Sequence, residues 1–79
     1  MARVTNRWEI SCNHTPETID RIMLPIRKRG LMVVNLNYRT MPESQALCSL
    51  EFEAEEADIE RIYKNMTRIS DIRRVERLA

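Results

Sequence analysis

Residues 18–38, TIDRIMLPIRKRGLMVVNLNY, contain Gly30, the only glycine among 79 residues. Ahead of it, Ile19, Ile22, Met23 and Ile26 recur at spacings of three and four, the period of a helix with one buried stripe. Arg27, Lys28 and Arg29 then fall at the helix C-terminus, where the macrodipole stabilises cations. Beyond Gly30 the period drops to two. Met32, Val34, Leu36 and Tyr38 alternate with Leu31, Val33, Asn35 and Asn37, as in a half-buried strand. A residue tolerant of positive φ at this junction lets the helix stop and the chain reverse into the strand. Upstream, NHTPE at 13–17 predicts the helix start: Thr15 as cap, Pro16 in the first turn, Glu17 beside the positive end of the dipole. Pro25 is the misfit, since it removes the bond to the Arg21 carbonyl and predicts a kink.

The same two periods recur on either side. Arg3 to Cys12 alternates Val4, Asn6, Trp8, Ile10 and Cys12 against Arg3, Thr5, Arg7, Glu9 and Ser11. TMPES at 40–44 reads as a turn, and QALCSLEFEA at 45–54 places Ala46, Cys48, Leu50, Phe52 and Ala54 on one apolar face. EEADIERIYKNMTRI at 55–69 sets Ile59, Ile62, Met66 and Ile69 at helical spacing behind an acidic first turn. IRRVERLA at 72–79 closes the chain as a short strand. TIDRI at 18–22 matches DIERI at 58–62 in pattern and place, so the halves echo one another. The expected fold is α+β, a ferredoxin-like βαββαβ domain filling residues 1–79. It has an antiparallel four-stranded sheet of order 4-1-3-2 with two helices on one face. The strand starting at Leu31 is then an edge that needs cover or a partner. Its Leu31 and Val33, read as outward-facing, together with Asn35 and Asn37, form the expected dimer edge.

Composition excludes more than it selects. Thirteen Lys+Arg against 12 Asp+Glu leave a formal charge of +1, which gives no bulk attraction to nucleic acid or anionic membrane. No apolar run is long enough for a membrane span or signal peptide, and a cytoplasmic location is the default. A core this small supplies only about 3–5 kcal/mol, which favours help from a partner subunit. Cys12 and Cys48 read as reduced core thiols, because zinc needs more ligands and closer spacing than Cys12, His14 and Cys48 offer. An RNA-recognition sheet presents aromatics, whereas the open face of the third strand is Gln45, Leu47, Ser49, Glu51 and Glu53. The first loop lacks both paired cysteines and a glycine-rich anion cradle. His14 lies near a helix start, but no nucleophile and orienting partner can be assembled around it, so neither a catalytic nor a metal site is expected.

TPETIDRIMLPIRKRGLMVVNLNY and DIERIYKNMTRISDIRRVERL together resemble an ACT domain of the acetohydroxyacid synthase small-subunit family, in its short single-domain form. The resemblance runs from Trp8 to Leu78. Its most specific parts are PETIDRI, the Arg-Gly pair before the second strand, and the Ile69–Val75 pattern I-x-D-I-x-R-V. It implies a non-catalytic regulatory subunit that forms homodimers through the second strand and first helix and carries no cofactor. Its partner would be the catalytic large subunit, which holds thiamine diphosphate, magnesium and FAD and makes acetolactate in branched-chain amino-acid synthesis.

In feedback-sensitive members of that family, valine lies at the dimer interface, between the loop after strand one and the start of the neighbour's strand two. The matching positions here are Asn13, His14, Thr15, Pro16, Glu17, Met32 and Val33. Sensitive members have asparagine where His14 falls, glycine where Glu17 falls and asparagine where Met32 falls. All three have changed, and Glu17 would set a negative charge toward the effector's carboxylate. The resemblance therefore implies activation and assembly with weak or absent valine feedback. Two readings compete with it. One is a free-standing ACT-domain sensor that binds an amino acid at its dimer interface; the other is a small nucleic-acid binder, against which the acidic third strand argues.

Overall fold

A computed structural model describes residues 3–78, and Ala79, the expected end of the last strand, lies outside them. The elements are β1 (Val4–Asn13), α1 (Thr18–Arg27), β2 (Val33–Met41), β3 (Gln45–Ala54), α2 (Glu56–Thr67) and β4 (Ile72–Leu78). The four strands lie in the order β2-β3-β1-β4, the expected 4-1-3-2 counted from the opposite edge. All three pairings are antiparallel, with Trp8 opposite Leu50, Leu50 opposite Leu36, and Ile10 opposite Val75.

One core joins the sheet to both helices: Trp8, Ile10 and Cys12 from β1, five residues of β3, Ile22 and Ile26 from α1, and Ile59, Ile62 and Met66 from α2. At its centre Trp8 meets Phe52 edge to face at 4.9 Å and Tyr63 at 5.9 Å. The Arg77 guanidinium stacks 4.5 Å from the Tyr63 ring while donating to Glu60 at 2.7 Å, which fastens β4 to α2.

In α1 the buried stripe sits one position earlier than the apolar residues suggest. Thr18, Ile22, Pro25 and Ile26 are buried, whereas Ile19 is 39% exposed and Met23 is half-buried. Positions i, i+4, i+7 and i+8 define this face, and a threonine joins it because its hydroxyl is fully hydrogen-bonded (below). Thr15 does not cap the helix: the cap position is Glu17, which makes no side-chain cap bond. Helix α1 continues through Pro25, which lies in its last turn and is buried. Gly30 has φ +67, and the amides of Gly30 and Leu31 close the helix end onto the carbonyls of Arg27 and Ile26.

Strand β2 departs most from its expected pattern. A bulge between Val33 and Asn35 inserts Val34 as an extra residue, so the pairing runs Val33–Phe52, then Asn35–Glu51, then Leu36–Leu50. The faces exchange across it. Leu31 and Val33 therefore pack against the core together with Leu36 and Tyr38. The side chains left outside are Met32, 62% exposed, and Val34, 55% exposed. This corrects the outward assignment of Leu31 and Val33; Asn35 and Asn37 are exposed as expected.

The β2–β3 turn carries backbone strain, since Glu43 (φ 64) and Ser44 (φ 56) both occupy the left-handed region without being glycine. Glu43→Gly relieves that strain at the cost of more freedom in the unfolded chain, for a net gain of about 0.5–1 kcal/mol. A urea midpoint that rises is the expected outcome; a lower midpoint overturns it.

Candidate functional site

The loop joining β1 to α1 is held by backbone bonds to two other loops. The Asn13 amide donates to the Asp71 carbonyl at 2.8 Å and the His14 amide to the Ser44 carbonyl at 2.7 Å. Thr18 sits beneath as a buried hub: its hydroxyl donates to the Asn13 carbonyl at 2.8 Å, accepts from the Thr15 amide at 3.0 Å and lies 2.8 Å from the Thr15 hydroxyl. Arg21, one turn along α1, pairs with the Asp71 carboxylate. These contacts leave His14, Pro16 and Glu17 exposed at the end of the sheet, with Asn13 and Thr15 half-buried. Thr18→Val keeps the volume but strands the Asn13 carbonyl and the Thr15 amide. We expect a loss of about 1–3 kcal/mol in chemical denaturation; a variant as stable as wild type overturns this role.

The His14 ring is fixed sideways by Tyr38, with Nδ1 2.8 Å from the phenol oxygen. Burial, followed by the neighbouring Cys12 sulfur, pushes the Tyr38 hydroxyl upward from its ordinary value. It therefore stays protonated at neutral pH and can donate to the imidazole. Burial likewise raises Cys12, and it carries Cys48 to about 11. Both thiols are free and buried. In that state they are poor nucleophiles and poor metal ligands, and among the described residues no cluster of three His, Cys, Asp or Glu could hold a metal ion.

The candidate effector residues do not come together within one chain. Asn13 lies opposite Gln45, which lies opposite Met41, so the 13–17 loop stands at the far end of β2. Met32 and Val33 stand at its beginning, where Val33 faces Phe52 and Phe52 faces Asn6. Eight strand steps separate the two groups, roughly 25 Å. Between them runs the free side of β2, flanked by exposed Met32 and Val34 and, on α1, by Ile19.

The sheet face away from the helices is polar and internally bonded. Glu51 lies 3.8 Å from Arg7 and accepts from Asn35 at 3.3 Å, and Ser49 donates to Glu9 at 3.4 Å. Gln45, Leu47, Ser49, Glu51 and Glu53 line it half-buried on β3, with no aromatic platform for stacking bases. No helix among the described residues is long and apolar enough to cross a membrane.

Reading the sequence missed Thr18 and Tyr38 as parts of the loop site. Thr18 carries a local signal in retrospect, as the third residue after Thr15 with an acceptor carbonyl just upstream. Tyr38 carries none, because its contact with His14 spans 24 residues.

No family model matches the chain, and no curated protein matches it. Solved structures do. The crystal structure of the ACT domain from GTP pyrophosphokinase of Chlorobium tepidum superposes with a TM-score of 0.79 at 13% identity, over 96% of this chain and 99% of that one. The solution structure of the same domain gives 0.76 at 15% identity, over 100% and 90%. The C-terminal domain of the MgtC protein from Mycobacterium tuberculosis gives 0.75 at 11% identity, over 99% and 87%. At such identities the likeness is one of fold, and the fold of this chain is that of an ACT domain.

Proposed function

We propose that this chain is the non-catalytic small regulatory subunit of an acetohydroxyacid synthase, working in the cytoplasm. In this role it pairs with a second copy through β2 and α1 and activates a catalytic large subunit that carries thiamine diphosphate, magnesium and FAD. The observation that carries this reading is the split effector set, with Asn13–Glu17 at one end of the open β2 edge and Met32 and Val33 at the other. Antiparallel pairing of two β2 edges about a two-fold axis sets the start of one strand against the end of the other, and so joins the two groups across the interface. The resemblance of PETIDRI, the Arg29-Gly30 pair and the Ile69–Val75 pattern supports the family.

Valine feedback is weak or absent in this reading. Glu17 presents an exposed carboxylate where an effector carboxylate would sit, and Met32 and His14 replace amide side chains. Stimulation of acetolactate production by a purified large subunit tests the main claim; no stimulation and no co-purification overturn it. Titration calorimetry with valine, leucine and isoleucine tests the second, and micromolar valine binding sinks it. The alternative is a free-standing ACT-domain sensor that binds an amino acid at its dimer interface without a synthase partner, a reading the same open β2 edge would serve. Amino-acid binding by a chain that leaves the large subunit untouched would establish it.

A further inference from the structure

Helices α1 and α2 pack side by side, with Arg21 of α1 paired to Asp71 in the loop after α2 and Arg29, just after α1, paired to Asp58 of α2 at 3.4 Å. Between these ties lies an open groove of about 290 Å³ lined by Arg21, Leu24, Pro25, Lys28, Asn65 and Ile69. Its floor is apolar, and Leu24 leaves 43% of its surface in water there. Its rim is basic. Beyond the lining itself, Arg61 of α2 and Arg68 at its C-cap stand one turn to either side of Asn65, both exposed. Among the described residues neither they nor Lys28 has an ion-pair partner, whereas Asp58 and Asp71 are already engaged. The opposing charges on this flank of α1 are Glu17 and Asp20, one turn before Arg21 and Leu24 and both exposed.

The groove and the β2 edge occupy different flanks of α1. Arg21, Leu24 and Lys28 face the groove, while the helical period turns Ile19 and Met23 the other way. A copy seated on β2 therefore leaves the groove free. Its volume is at the lower limit for small-ligand clefts and it is open along its length. That shape suits side chains presented by a peptide better than an enclosed molecule.

We propose that this groove docks an acidic amphipathic segment of the catalytic partner, with an apolar side chain on Leu24, Pro25 and Ile69 and carboxylates against Lys28, Arg61 and Arg68. The proposal rests on the regulatory-subunit reading above. The experiment compares full-length wild type with Lys28→Glu/Arg61→Glu/Arg68→Glu, and separately with Leu24→Ala, for binding to a purified acetohydroxyacid synthase large subunit. Wild-type affinity should fall as salt rises. The triple variant should lose at least about tenfold in affinity while keeping the wild-type circular dichroism and oligomeric state. Leu24→Ala, which keeps every charge and alters a half-exposed position, should lose several-fold. Equal binding by all three chains overturns the groove and leaves the regulatory reading intact. Failure of wild type to bind the large subunit overturns that reading, and the groove's occupant with it.

Discussion

Trp8→Ala removes most of the folding stability of this chain, by about 3–5 kcal/mol. Trp8 is 1% exposed and stands edge to face against both Phe52 of β3 and Tyr63 of α2, so it is the side chain that joins sheet to helix layer. Truncation leaves a cavity bordered by two rigid rings that cannot both collapse into it, and it also forfeits two aromatic pairs. A larger domain would survive this loss. Here it equals roughly the whole net stability that a core of this size supplies, so the isolated variant should show no cooperative urea transition. Trp8→Phe, which keeps a ring in the site, should retain a cooperative transition at a lower midpoint. A Trp8→Ala chain unfolding cooperatively near the wild-type midpoint would falsify the central placement of Trp8.

The elements that were legible in the sequence are those whose periodicity no other constraint interrupts. Strand β3 is paired on both sides without a register shift at its centre, and Ala46, Cys48, Leu50, Phe52 and Ala54 are buried as their alternation requires. In α2 the residues Ile59, Ile62 and Met66 are buried for the same reason, with a period of 3.6 in place of two. In β2 the phase could not be read, because Leu31, Met32, Val33 and Val34 are four consecutive apolar residues that fit either face. The bulge at Val34 then reverses the inward set, and nothing local announces it. Helix α1 misled through hydrophobicity alone: Thr18 enters the core with its hydroxyl satisfied, and Ile19 beside it stays half in water. The loop at 13–17 was legible as a helix approach, but its ties to Ser44, Asp71 and Tyr38 are tertiary contacts that no spacing encodes.

The exposed position of Ile19 also bears on assembly. A free strand edge bordered by Met32, Val34 and Ile19 combines unpaired backbone groups with apolar side chains, the arrangement that soluble monomers avoid. Replacing Val34 and Ile19 together by lysine should therefore convert the proposed dimer to a monomer. Each lysine takes away apolar area worth about 1.5–3 kcal/mol when fully buried, and two-fold symmetry applies every loss twice. A shift of 100-fold or more in dimer dissociation is the order expected. Light scattering should report a mass falling from twice 9.4 kDa to 9.4 kDa. The folded monomer itself should tolerate the changes, because Val34 is 55% and Ile19 39% exposed before any partner is present. Circular dichroism should therefore retain its shape, while the thermal midpoint loses the concentration dependence that dimerisation confers. Separation of the copies also parts the 13–17 loop from the partner's Met32 and Val33, so any amino-acid binding should disappear with the dimer while the α1–α2 groove stays intact. A variant that remains dimeric, or one that binds amino acid as a monomer, would show that the copies meet elsewhere.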